Sequence, residues 1–76
     1  MSNDDKQEQF LHSLARRIAE LRRSKNMTQE RLAAEAEIDR VALANIESDK
    51  RRPTVTTVYR IAQALGVKVE EVFKNL

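Results

Sequence analysis

Apolar residues recur along this chain at spacings of three and four, the period that lines one side of an α-helix. Phe10, Leu11, Leu14, Ile18 and Leu21 form the first stripe and predict a long helix from Lys6 to Lys25. Leu32, Ala33 and Ala36 predict a second helix over 29–36, and Leu43 and Ile46 a third over 40–47. Val55, Val58, Ile61, Ala62 and Leu65 share the inward side of a fourth, over 55–65. Val72, Phe73 and Leu76 mark a short fifth, over 69–75. No alternating strand pattern, internal repeat or low-complexity tract interrupts them. The expected fold class is all-α, with five helices. Residues 1–5 are polar and partly acidic and are expected to be disordered, which leaves 6–76 as one domain.

The helix starts carry a repeated spacing rule. An apolar residue just before a cap packs on another five positions later and sets the angle of entry. Met27 and Leu32 do so around Thr28, Ile38 and Leu43 around Asp39, and Pro53 and Val58 around Thr54. Val67 and Val72 repeat it around Lys68, which is a poor cap because it offers no acceptor. Stops are marked too. Asn26 tolerates the left-handed conformation, and Gly66, the single glycine, suits the position just past a helix end. The segment Ser48–Arg52 has no apolar residue, and Pro53 blocks any continuation of the third helix.

The second and third helices are short and joined by the tight turn Glu37, Ile38, Asp39. That is the pattern of a helix-turn-helix, whose second helix offers its outer face to a DNA groove. At about 100° per residue, Arg40, Val41, Ala44, Asn45 and Ser48 fall on one side of the third helix, and Ala42, Leu43 and Ile46 on the other. Arginine suits the acceptors of guanine, asparagine suits adenine, and a small apolar side chain can rest on a thymine methyl. The plain alternative is a solvated helix face. Arg22 and Glu47 each sit at the border of an apolar stripe, and a charge at a core edge needs a partner. They are expected to pair with each other, the alternative being that both reach solvent along their stems.

Composition narrows the classes. With 76 residues, 41% of them hydrophobic, the chain can build one modest core, and domains of this size often gain stability by oligomerising. There is no cysteine, hence no disulfide and no thiolate metal site. The polar start MSNDDKQEQ has no signal-peptide segment and no apolar run approaches a membrane span, so a cytoplasmic protein is expected. The net charge is only +2, but basic residues cluster at Arg16, Arg17, Arg22, Arg23 and Lys25 and again at Lys50, Arg51 and Arg52. Two such clusters flanking a helix-turn-helix could grip phosphates on either side of a groove. No enzyme is expected. His12 is the single histidine and reads as a solvated surface residue, and Ser13 beside it cannot share its helix face. No glycine-rich phosphate loop or metal-spaced cluster occurs, so no catalytic residue, metal or cofactor is assigned.

The stretches LRRSKNMTQERLA, EIDR, NIE, KRRPT and IAQALGV with the later VF together resemble the lambda-repressor-like, or Cro/XRE, family of helix-turn-helix proteins. The resemblance spans residues 10–76. Within the family the chain is most similar to the controller proteins of restriction–modification systems. Those are short homodimeric transcriptional regulators that activate their own operon and repress it when abundant. The resemblance implies a third helix in the major groove, with Arg40, Val41, Ala44 and Asn45 facing bases. It implies that Thr28 caps the second helix where a phosphate docks, and that Gln29 hydrogen-bonds that phosphate. Ser48, Lys50, Arg51 and Arg52 would meet the DNA backbone. Family members also carry the Arg–Glu pair at Arg22 and Glu47. The fourth and fifth helices supply the dimer contact of controller proteins, which implies Val55, Tyr59, Val67, Phe73 and Leu76 here. Implied partners are a double-stranded DNA operator, a second copy and, for an activator, RNA polymerase.

Two departures stand out. The turn position usually held by glycine is Glu37, which costs about 1 kcal/mol at positive φ or changes the turn's shape. The third helix starts with the apolar run Val41, Ala42, Leu43, Ala44, where controller proteins often have a polar, tyrosine-containing start; this implies a different operator. A different class stays open: a protein-interaction module on the same fold, such as an antitoxin or co-activator bridge, with its partner on the fourth and fifth helices.

Overall fold

Ser2 starts the first helix by accepting the backbone N–H of Asp5 at 3.2 Å. The computed structural model describes residues 2–76 and holds five helices and no strand among them. They are α1 (Asn3–Ser24), α2 (Gln29–Ala36), α3 (Arg40–Glu47), α4 (Val55–Leu65) and α5 (Val69–Val72). No helix among the described residues is long and apolar enough to cross a membrane.

Two boundaries differ from the sequence reading. Residues 3–5, expected to be disordered, form the first turn of α1; Met1 lies outside the described residues. The cap and the acidic pair Asp4 and Asp5, which suit the positive end of the helix dipole, favour this extra turn. The hydrophobic stripe gives no sign of it because residues 3–10 are all exposed. At the other end, α5 stops at Val72 instead of continuing to Asn75, and residues 73–75 form a turn in which Asn75 has φ 62°.

The first four helices end in the same way. Asn26, Glu37, Asp49 and Gly66 take φ of 56°, 58°, 62° and 71°. Just beyond each, a backbone N–H reaches back five residues: Met27 to Arg22, Ile38 to Ala33, Lys50 to Asn45 and Val67 to Ala62, at 2.9–3.2 Å. This arrangement satisfies carbonyls that the helix end leaves free. After three of the four, the next residue is the apolar Met27, Ile38 or Val67, which turns into the core or its edge and begins the next helix. After α3 it is Lys50, so the chain stays at the surface until Pro53. Thr28, Asp39 and Thr54 then cap α2, α3 and α4 by accepting N–H groups at 3.0, 3.3 and 3.1 Å, whereas Lys68 makes no side-chain cap.

Glu37 therefore takes the left-handed turn unchanged, with φ 58° and ψ 43°. Glu37→Gly is expected to raise the unfolding free energy by about 0.5–1 kcal/mol, because glycine loses the Cβ clash but gains freedom in the unfolded chain. Urea denaturation checks it; an unchanged or lower midpoint would mean the carboxylate side chain contributes something the turn needs.

One side chain from each helix meets at the centre: Ile18, Leu32, Leu43, Ile61 and Val72 are completely buried. α2 packs on α3 and α4, α1 on α3 and α5, and α4 on α5. The short α2–α3 unit is thus held from both sides. Val55 is the exception to the inward face expected for the fourth helix. It is 88% exposed, because the first position of α4 lies beyond the reach of its neighbours.

Candidate nucleic-acid interface

Leu43 and Ile46 anchor α3 in the core at 0% and 2% exposure. Its opposite side is open. Arg40 is exposed, Val41 is 56% exposed, and Ala44 and Asn45 are half-buried. Ala42, expected inward, is half-buried beside a groove shared with Asp39, Arg51 and Thr54. The Asn45 carbonyl fixes the loop that follows. It accepts the N–H groups of Lys50 and Arg51 at 2.9 and 3.1 Å and the Ser48 hydroxyl at 3.3 Å. The loop backbone is therefore tied to the last turn of α3 while its basic side chains point outward.

Arg22 and Glu47 hold the other side of that turn. Arg22 Nε donates to Glu47 Oε2 at 2.8 Å and Arg22 Nη2 to Oε1 at 3.0 Å, a two-pronged pair. The side chains are 12% and 4% exposed. Arg22 Nη1 also donates to the Met27 carbonyl at 2.8 Å, and Gln29 Nε2 to Glu47 Oε1 at 3.0 Å. One carboxylate thus joins the end of α1, the start of α2 and the end of α3. Gln29, expected to bind a phosphate, is oriented by Glu47, and its second amide hydrogen is left for an outside acceptor. Thr28 accepts the Arg31 N–H, and its own hydroxyl hydrogen is free to donate outward.

The ion pairs redraw the expected basic clusters. Arg16 pairs with Glu20, Arg31 with Glu35, and Arg17 with both the carboxylate and, at 2.9 Å, the carbonyl of Glu71. Arg52 pairs with Glu8. With Arg22 and Arg17 engaged inside the fold, the first cluster keeps only part of its charge for an outside anion. Among the described residues, Arg40, Lys50 and Arg51 have no ion-pair partner, nor do Arg23 and Lys25 at the end of α1. His12 is exposed, with Nδ1 at 3.5 Å from Asp49 Oδ2.

The candidate dimer residues are not equally available. Val55, Tyr59, Phe73 and Leu76 are exposed, but Val67 is half-buried against the core. Tyr59 and Val67 border one groove with Ala62 and Val69, and the Tyr59 hydroxyl accepts Gln63 Nε2 at 2.7 Å. Phe73 stacks on Phe10 with ring centres 6.3 Å apart. Phe10 is 43% exposed, so it belongs to this surface more than to the core stripe in which the sequence places it.

A family model described as helix-turn-helix matches residues 18–72. The chain belongs to the helix-turn-helix family, in its Cro/XRE branch. An HTH-type transcriptional regulator of Sinorhizobium fredii, y4dJ, is 46% identical over 50 residues, which cover 66% of this chain and 65% of that protein. The chain thus spans a little under two thirds of that relative. The control protein C.MunI of a Mycoplasma species is 30% identical over 61 residues, covering 79% and 82% of the two chains. Among solved structures, the restriction–modification controller protein C.AhdI of Aeromonas hydrophila superposes with a TM-score of 0.81 at 30% identity, covering 83% of this chain and 96% of its own. The helix-turn-helix of this branch corresponds to α2 and α3, the unit locked by Leu32, Leu43 and Glu47.

Proposed function

We propose that this protein is a sequence-specific DNA-binding transcriptional regulator that acts as a homodimer on a two-fold operator, in the manner of a restriction–modification controller protein. The observation that carries the reading is the division of α3. Its Leu43 and Ile46 are buried, while Arg40 and Val41 stand exposed at its start, the arginine without an ion-pair partner among the described residues. In this reading Arg40, Val41, Ala44 and Asn45 face base edges in the major groove. Thr28, Gln29, Ser48, Lys50, Arg51 and Arg52 meet backbone phosphates. Gln29 abuts Glu47, and the loop leaves the same end of α3, so these groups gather beside one end of the reading helix. Kinship to y4dJ, C.MunI and C.AhdI supports the same class.

Dimerisation rests on the exposed apolar groups Val55, Tyr59, Phe73 and Leu76, with Val67 at their edge, in a chain of 76 residues. The regulator would work in the cytoplasm, and an activating role would bring RNA polymerase to the complex.

A salt titration of duplex binding tests the reading. Arg51→Ala is expected to weaken all sequences alike and to lower the slope of log affinity against log salt by about one unit, as loss of one phosphate contact requires. A slope unchanged by Arg51→Ala would remove the loop from the interface. A protein with no affinity for any duplex would overturn the proposal.

A further inference from the structure

The loop after α3 is not equally free along its length. Among the described residues Lys50 and Arg51 have no ion-pair partner, but the Arg52 guanidinium donates to the carboxylate of Glu8, 44 positions earlier, on the exposed first half of α1. One turn further along α1, His12 lies 3.5 Å from Asp49 of the same loop. Between these contacts Leu11 and Ala15 face Asp49, Arg52 and Pro53 across a narrow cleft. The amino-terminal half of α1 is thus laid along the phosphate loop and presents to it an anion of the kind a phosphate would offer.

We propose that Glu8 is a built-in competitor for the DNA phosphate at Arg52, and so sets the protein's affinity for duplex DNA of any sequence. The inference rests on the DNA-binding function proposed above. A carboxylate and a phosphate oxygen are interchangeable partners for a guanidinium fork. The pair is open to water, with 56% of Arg52 and 62% of Glu8 exposed, so it is weak enough to exchange. Docking on a duplex then swaps carboxylate for phosphate at Arg52. The released Glu8 stays within a screening length of the new phosphate and recruits a cation from solution, which offsets part of the counterion release.

The test is binding of a random-sequence duplex across a range of salt by the full chain, by Glu8→Gln, by Arg52→Ala and by the double variant. Glu20→Gln serves as a charge-matched control, since Glu20 pairs with Arg16. Glu8→Gln is expected to bind about two- to fivefold more tightly, the range an exposed ion pair supports, with a steeper salt slope. In the Arg52→Ala background the same substitution should change affinity less than about 1.5-fold, as should Glu20→Gln alone. Glutamine is a good helix former, and circular dichroism confirms that the fold is kept. Unchanged or weaker binding by Glu8→Gln overturns the proposal. So does an equal gain in the Arg52→Ala background, which would make Glu8 a general repulsive charge and not a competitor at Arg52. If Glu8→Gln is inert while Arg51→Ala still lowers the salt slope, only this inference falls. If the unaltered chain binds no duplex, both fall.

Discussion

Arg22→Ala is expected to lower the unfolding free energy by about 3–5 kcal/mol, the cost of leaving one buried charge without its partner. A domain of 76 residues has only about 4–11 kcal/mol in total at 0.05–0.15 kcal/mol per residue, so this variant should sit close to unfolding at room temperature. Glu47 is the reason. Its side chain is 4% exposed, and its carboxylate accepts three hydrogen bonds, two from Arg22 and one from Gln29. Without the guanidinium it remains a charge in a poor solvent, and the Met27 carbonyl also loses a donor. Glu47→Ala should be similarly severe. Replacing both, as Arg22→Met with Glu47→Leu, should restore most of the loss, because apolar groups of like size can substitute for a buried pair. Urea denaturation of the unaltered chain, Arg22→Met, Glu47→Leu and the double variant gives the double-mutant cycle. Simple additivity would mean that the two charges do not depend on each other, against the geometry of the pair.

The second large effect falls on recognition. Arg40→Lys is expected to weaken operator binding by about 1–3 kcal/mol for each copy bound, while random-sequence binding stays nearly constant. Lysine keeps the charge but not the planar fork that fits the two acceptors of guanine. A homodimer presents two copies of Arg40, so the loss on a two-fold operator should exceed tenfold. The residue is the first of α3, exposed and without an ion-pair partner among the described residues, so the substitution should leave folding unaffected. Equal weakening of operator and random DNA would assign Arg40 to the phosphate backbone.

The Arg22–Glu47 pair shows how much is legible in one dimension. Arg22 and Glu47 stand at the borders of apolar stripes, and angular position along a helix is a local property of the sequence. The caps Thr28, Asp39 and Thr54 and the stops Asn26 and Gly66 are local too, since each acts through backbone groups within five residues. The helices α2, α3 and α4 follow from them. What the sequence did not reveal depends on contacts between distant segments or on groups outside the apolar pattern. The first turn of α1 is held by Ser2 and carries no buried residue. Val55 matches the spacing of an inward residue, yet no neighbour reaches it. The tie of Gln29 to Glu47, the stack of Phe10 on Phe73 and the pairing of Glu8 with Arg52 all join segments at least 18 positions apart. The last of these changes the meaning of a charge cluster: a run such as Lys50, Arg51, Arg52 looks uniform until one member proves to have an anion of its own.

The most direct test is to select bound duplexes from a random pool with the unaltered protein and with Arg40→Lys. The exposed face of α3 predicts enrichment of two symmetry-related half-sites about 34 Å apart, with the preference at one base pair of each half-site lost in the variant. No enriched sequence, or the same sequence enriched by both proteins, would contradict it.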